Sequence, residues 1–359
     1  MTFEEARAAF PVLERLAFLN AGTNGPLARA TVEAMVAQEL IDLSEGRAGG
    51  SYYARARELR ERVREKLAAL IRVPPANVAL TTSTTNGCNI VLGGLGLGPG
   101  DEIVTTDEEH FGLLGPLRMS AARVRVAATR GLAGQEALDR LVAEVGPKTR
   151  LLALSHVSWV TGNVLPISEL KRETGLPILV DGAQSGGAIE VDATPYDYYT
   201  VSGQKWPCGP DSTGALYVRE PESLRIAAPT YMSQQGFDSD GAFEPTEGAA
   251  RFDHGFLGAT LLSGLEAALD GAPEWRFERA RETAARCREL LGERYKVVTA
   301  PSQATLVSFR LDGDPATVVE QLFERGVVVR EIPGSGLVRV SVGYWTSQND
   351  LERLLAGLS

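Results

Sequence analysis

Cysteine is scarce in this chain: Cys88, Cys208 and Cys287 are the only three in 359 residues, and they form no paired spacing or metal-ligand cluster. A disulfide-stapled framework and a zinc-built fold are therefore excluded, no metal ligands are assigned, and a reducing cytoplasm is the expected location. A basic excess is missing too. Lysine and arginine number 36 against 46 acidic residues, a formal net charge of -10. That balance argues against nucleic acid or an anionic membrane as partner, because both need positive charge to neutralise phosphates. No apolar run approaches the length of a membrane span, and "MTFEEARAAFPVLERLAFLN" has acids where a secretory signal has bases, so export is not expected. Repeats, low-complexity tracts and long linkers are also lacking.

What is present is a globular composition, 44% hydrophobic and 23% charged, with length for one large domain and a smaller one. "ARELRERVREKLAALI" has helical spacing, and "PPANVALTTST" then opens a β-rich segment. "EIVTTDEEH", "TRLLALSHVSWVTG", "PILVDGAQSGG" and "YDYYTVSG" follow as strands, with "SELKRETG" reading as an intervening helix. This alternation predicts an α/β fold with a mainly parallel sheet covered on both faces. Beyond residue 261 the texture changes to the charged helix "WRFERARETAARCRELLGERY", the strands "ATLVSFRL", "VVVREI" and "LVRVSVG", and the helix "SQNDLERLLAGL". The expected division is a large domain over 16–261 and a smaller α+β domain from 1–15 and 262–359. The glycine run 93–98 follows a helix-like stretch and precedes a strand, the reverse of a dinucleotide fingerprint, so it reads as a turn.

Ligands of open parallel sheets gather beyond the carboxyl ends of the strands. Thr84 and Thr85, His110, Ser155 to Trp159, Asp181 with Gln184, and Ser202 with Lys205 all fall at such ends. Lys205 stands in "VSGQKWPCGP", a glycine- and proline-bounded turn rather than a charged helix face. A lysine, a carboxylate, a glutamine and a serine on consecutive strand ends suit pyridoxal phosphate (PLP). The amine carries the aldehyde, and the carboxylate keeps the pyridine nitrogen protonated so that the ring serves as an electron sink. Thr84 or Thr85 suits either a phosphate at a helix N-terminus or a plain N-cap. Asp181 suits either the pyridine nitrogen or the turn before Gly182, and His110 suits either ring stacking or an ordinary surface or core position.

The order of "TTSTTNGCNIV", "DEEHFG", "LSHVSWVTGNVLPI", "VDGAQSGG", "SGQKWPCGPDSTGALYV" and "VRVSVGYWT" resembles the class V group of fold-type-I PLP enzymes. That group includes cysteine desulfurases, isopenicillin N epimerase-like proteins and cysteine/cystine C–S lyases. The segments "TTNGCNIVLGGL", "GPKTRLLALSHVSWVTGNVLPI" and "APTY…EPTEG…RF" are most similar to the lyases. The resemblance implies a large domain with a mainly parallel seven-stranded sheet, a homodimer, PLP as cofactor and an amino acid as substrate. It makes Lys205 the covalent lysine, Asp181 the pyridinium partner, Gln184 the donor to the ring's phenolate oxygen and His110 the stacking residue. Thr84, Thr85 and Ser202 match phosphate contacts, and Arg339 matches the arginine that grips the substrate carboxylate. "NAGTNGP", which begins at Asn20, lies near the entrance in the family, and Asn20 and Trp159 are expected to bind substrate beside Arg339.

Several positions depart from the family pattern. Gln204 stands where a histidine usually precedes the lysine, so one phosphate or substrate contact cannot charge. Trp159 replaces an asparagine common in desulfurases, and Phe256 stands near the position of a threonine donated to the partner's phosphate. The desulfurase nucleophile is absent, since "VVVREIPGSGLVR" has no cysteine. The expected reaction is therefore β-elimination from cysteine, cystine or another S-substituted cysteine, giving pyruvate, ammonia and a sulfur product. Transamination, desulfuration and epimerisation are the alternatives. A non-catalytic binding protein is disfavoured because Lys205, Asp181 and Arg339 are all retained.

Overall fold

The computed structural model describes residues 1–359. Three helices and one short strand lead in, α1 (Phe3–Ala8), β1 (Ala17–Phe18), α2 (Arg29–Glu45) and α3 (Gly49–Leu70). The alternating region then runs β2 (Val78–Thr81), α4 (Thr84–Leu95), β3 (Glu102–Thr106), α5 (Phe111–Met119), β4 (Arg123–Ala127), α6 (Gly134–Glu144) and β5 (Thr149–Ser155). It continues through α7 (Ile167–Thr174), β6 (Ile178–Asp181), β7 (Tyr198–Ser202) and β8 (Gly214–Val218). These strands form one seven-stranded sheet in the order β2-β8-β7-β6-β5-β3-β4. It is mostly parallel, as expected, with β8 antiparallel to both neighbours. Strands β2, β3, β6, β7 and β8 are buried along their whole length, which is why they read as apolar runs and not as alternating patterns. Strand β5 exposes only Arg150, and the edge strand β4 is the most open. It exposes Arg123 and part-exposes Arg125, charges that discourage edge-to-edge pairing.

The glycine run closes α4 as a turn: Gly96 takes the left-handed conformation at φ +64°, where a glycine costs nothing. No helix is long and apolar enough to cross a membrane.

After an exposed hairpin of β9 (Gln234–Phe237) and β10 (Phe243–Pro245) come α8 (Ala259–Asp270) and α9 (Arg276–Gly292). Helix α8 packs against α2 and α3, and the expected division after residue 261 falls within it. The remainder is β11 (Lys296–Val297), β12 (Leu306–Arg310), α10 (Pro315–Glu324), β13 (Val327–Val328), β14 (Arg330–Ile332), β15 (Leu337–Ser341) and α11 (Gln348–Gly357). A second sheet has the order β11-β12-β15-β14. The single run "VVVREI" is split, because β13 pairs with β1 whereas β14 pairs with β15. The N-terminal segment thereby joins the C-terminal layer and brings Asn20 opposite Ser341.

One buried ionic cluster joins α3 to the large sheet. The Asp253 carboxylate accepts from Arg60 at 2.7 Å and from Arg64 at 3.0 Å. It also accepts from the Leu80 N–H of β2 at 2.7 Å. All three side chains are buried. Removing the acid leaves Arg60 without a counter-charge and Arg64 with only the exposed Glu61, at 3.1 Å, so Asp253→Asn is expected to destabilise the fold by about 3–5 kcal/mol. Guanidinium unfolding at equilibrium measures it, and a loss below about 1 kcal/mol would show that water reaches the cluster.

Candidate active site

The carboxyl ends of β3, β5, β6 and β7 and the N-terminus of α4 converge on one edge of the large sheet. Asp181 is the last residue of β6 and is buried. Its Oδ1 accepts from the Ala183 N–H at 2.9 Å. Burial raises its pKa, opposed by that hydrogen bond and by the charge of Lys205. The strand-end turn after β7 carries Lys205. It is held by Gly203 N–H donating to the Thr213 carbonyl at 2.8 Å and Gly209 N–H donating to the Gly203 carbonyl at 2.9 Å. Burial pulls the Lys205 amine down from 10.5 to about 8; Asp181 acts against that shift, while Arg339 and Arg330 add to it.

The segment 20–25 is strapped across this turn. Gly25 N–H donates to the Gln204 carbonyl at 2.8 Å, and a side chain on Gly25 would collide with the Lys205 carbonyl. Gly22 lies close to Arg339, whose Nη2 would stand 2.8 Å from an added Cβ. Gln184 is buried and engaged at both ends. Its Nε2 donates to the Gly22 carbonyl at 2.8 Å and its Oε1 accepts from Trp206 Nε1 at 3.1 Å. The second amide hydrogen is then the one donor of Gln184 still open to a ligand. The Ser202 hydroxyl donates to Gln204 Oε1 at 2.9 Å, which gives Gln204 a local partner in place of a charge.

The N-cap of α4 is Ser83, and neither Thr84 nor Thr85 fills that place. Ser83 Oγ accepts from the Asn86 N–H at 3.1 Å, leaving the N–H groups of Thr84 and Thr85 free of intrahelical partners. Thr85 Oγ1 faces the first turn of α5, close to Gly112 and His110. His110 is the N-cap of α5, its Nδ1 accepting from the Gly112 N–H at 3.0 Å. That bond fixes the ring and leaves Nε2 as the protonated nitrogen. Burial, then Lys205, Arg330 and Arg339, push His110 down to about 4, so it is neutral at physiological pH.

Trp159 meets His110 edge to face, with centroids 5.0 Å apart and planes at 88°. Its indole Nε1 is buried without a partner. Its carbonyl accepts from Arg339 Nη1 at 2.9 Å. Arg339 is 1% exposed on β15, and its Nε also lacks a partner. Asn20 Oδ1 accepts from Thr23 Oγ1 at 2.9 Å. Phe256 is 70% exposed and stacks on Tyr231, and the three cysteines are buried.

The spacing of motifs did not reveal Ser83, Thr23, Arg330, Glu108 or Glu109. Glu109 is buried at the end of β3 and accepts from the Ser155 N–H and from Thr106 Oγ1. Glu108 accepts from Ser158 Oγ and Thr161 Oγ1, which anchors the loop that carries Trp159. The sequence signal for this pair is the acidic doublet directly before His110, a place where exposed carboxylates are the ordinary expectation.

The donor set suits PLP: a desolvated amine, a buried carboxylate, an open helix N-terminus, a neutral imidazole and an unpartnered guanidinium Nε converge within one edge of the sheet. Comparison with known proteins agrees. The family model "Aminotransferase class-V" matches residues 18–354. A lysine-to-alanine variant of C-DES, with glycine covalently linked to its PLP cofactor, superposes with a TM-score of 0.91 at 29% identity, covering 98% of each chain. The cystine C–S lyase C-DES in complex with its reaction product, cysteine persulfide, gives 0.89 at 30% identity, covering 97% of this chain and 98% of that one. Isopenicillin N epimerase of Streptomyces clavuligerus is 30% identical, covering 99% of this chain and 97% of its own. The large mostly parallel sheet is thus that of the fold-type-I PLP enzymes, and this chain belongs to the class-V aminotransferase family.

Proposed function

We propose that this chain is a PLP-dependent C–S β-lyase acting on cysteine, cystine or another S-substituted cysteine. The observation that carries the choice of reaction is the state of the thiols. Cys88 lies inside α4, Cys208 in the turn after Lys205 and Cys287 in α9, all buried. Burial raises all three well above the ordinary thiol range. None is placed to attack sulfur as a mobile thiolate, which desulfuration requires.

When bound, PLP supplies the electron sink that stabilises negative charge at the substrate α-carbon. Lys205 Nζ would hold the cofactor and move the α-proton. Asp181 would keep the pyridine nitrogen protonated, His110 would cover the ring face, and the free N–H groups at the start of α4 would receive the phosphate, with the Thr84 and Thr85 hydroxyls and, on turning from Gln204, that of Ser202 around it. The open amide hydrogen of Gln184 serves the phenolate oxygen. Arg339 binds the α-carboxylate through charge-assisted hydrogen bonds. The C–S bond breaks with both electrons leaving on sulfur, and water completes release of pyruvate and ammonia.

Replacing Cys88, Cys208 and Cys287 together by alanine is expected to leave pyruvate release within about an order of magnitude of the parent, since no step uses a thiol. A folded, cofactor-loaded triple variant without activity would return desulfuration to first place. Incubation with cysteine, cystine, S-substituted cysteines, and alanine plus a keto acid, with pyruvate, sulfide and amino transfer assayed together, separates elimination from transamination. Epimerisation is favoured as a second reading by the isopenicillin N epimerase relatives at 30% and 31% identity. It predicts loss of substrate chirality without pyruvate.

The same proposal includes a homodimer. Val32, Val36, Leu40 and Leu43 are all exposed along α2, an apolar stripe of the kind that a second copy covers. Light scattering should give twice the chain mass, and a fully active monomer would overturn the assignment.

A further inference from the structure

Glu108 stands two residues before His110, in the turn after β3, and is 5% exposed. Its Oε2 accepts from Ser158 Oγ at 2.5 Å and from Thr161 Oγ1 at 2.8 Å, while Oε1 is buried without a partner. Burial raises the Glu108 pKa, and the two hydroxyls oppose the rise. A buried acid costs free energy, so what Glu108 contributes lies in the two bonds it accepts.

Those bonds hold a turn that joins the two sheets. Val157 bridges Val164, and the Ser158 Oγ that donates to Glu108 also accepts from the Val160 and Thr161 N–H groups. The turn is bound to the C-terminal layer as well. The Val160 carbonyl accepts from Ser308 Oγ on β12 at 2.6 Å, and Asn163 Oδ1 accepts from the Ala300 N–H at 2.9 Å. Val160 packs on Ile332 of β14 and Leu337 of β15. The Trp159 carbonyl takes the 2.9 Å bond from Arg339 Nη1, whereas the bond from Arg339 Nη2 to Thr23 Oγ1 is 3.5 Å long. The turn therefore travels with Arg339. Its side-chain ties to the large domain run from Asn163 Nδ2 to the Leu132 carbonyl, between β4 and α6, and from Ser158 and Thr161 to Glu108. Of these, the bonds to Glu108 are the ones that reach the segment holding His110. A ligand gripped at the cofactor and at Arg339 together needs the two ends at a set distance, and a shift of about 1 Å can cost two orders of magnitude.

We infer that Glu108 is a positioning residue: by tying the Trp159 turn to the segment of His110, it sets the spacing between the ring-covering imidazole and the guanidinium that receives the α-carboxylate. This rests on the role given to Arg339 above, and it holds whichever bond of the substrate is broken.

The holoenzyme is titrated with glycine and with methylamine, two amines that differ by the carboxylate, and binding is read from the absorbance of the cofactor. Glu108→Ala should weaken glycine about ten- to thirtyfold and leave methylamine within about twofold. Ser158→Ala combined with Thr161→Val removes the same bonds from the other end and should repeat this pattern; it carries the test if Glu108→Ala does not fold. Glu108→Gln, which keeps an acceptor oxygen, should recover most of the loss. In an Arg339→Ala background, itself weakened for glycine and not for methylamine, Glu108→Ala should have no further effect. Equal losses for the two amines would show that Glu108 only supports the fold or the cofactor, and would overturn the proposal. Unchanged binding of both amines would do the same, as would losses that add in the double variant. Glycine binding that is unmoved by Arg339→Ala would remove the carboxylate role of Arg339 and this proposal with it.

Discussion

Lys205→Ala should lose covalent cofactor capture altogether and at least about 10²–10⁴ in kcat, the range that a positioned proton-transfer group supplies. In the parent protein, borohydride reduction followed by peptide mapping should place the pyridoxyl group on Lys205; a label on any other lysine would refute the assignment. The pH dependence follows from the desolvated amine. Only the neutral form attacks an aldehyde, and burial holds the folded-state pKa at about 8 where an exposed lysine has 10.5. The rate of cofactor capture by the apoprotein should therefore climb with pH and level off above about 8. A climb that continues toward 10.5 would mean that the ammonium is hydrated and the turn is open to solvent.

Asp181→Asn is expected to keep the cofactor and lose about 10²–10³ in kcat, the scale of removing one preorganised electrostatic partner. The carboxylate is 3% exposed and opposed by its own desolvation, and a protonated pyridine nitrogen would provide the positive charge that compensates it. An amide of the same shape accepts the same Ala183 hydrogen bond but cannot hold that proton, so the electron sink weakens while binding survives. KM should move little compared with kcat, since the carboxylate contact proposed above is a different residue, Arg339. Near-normal turnover in a cofactor-loaded Asp181→Asn protein would remove Asp181 from the chemistry and leave it as a turn residue before Gly182.

The sequence by itself determined the features that depend on short-range pattern. Apolar runs of strand length alternating with helical periods are enough to specify a mostly parallel sheet, and the polar residue that ends each run is thereby assigned to one edge. Asp181, His110 and Lys205 were legible for that reason, as were the strands and helices after residue 261. Periodicity is a property of a few neighbouring residues, and each of these elements carries its own. What depended on contact between distant segments was decided only in the tertiary structure. Ser83 and the two threonines after it are chemically similar N-caps, and it is Ser83 that keeps extended backbone and accepts from the Asn86 N–H. The neutral ring of His110 follows from burial beside three cations on three other segments. Arg60 and Arg64 pair with Asp253 across more than 180 residues, and Arg330 stands opposite Arg339 because a tight turn sets the register of β14 on β15. Register flips every side chain when it slips by one residue, so no local reading of "VVVREI" could say that its arginine faces the site, or that the run divides between two sheets.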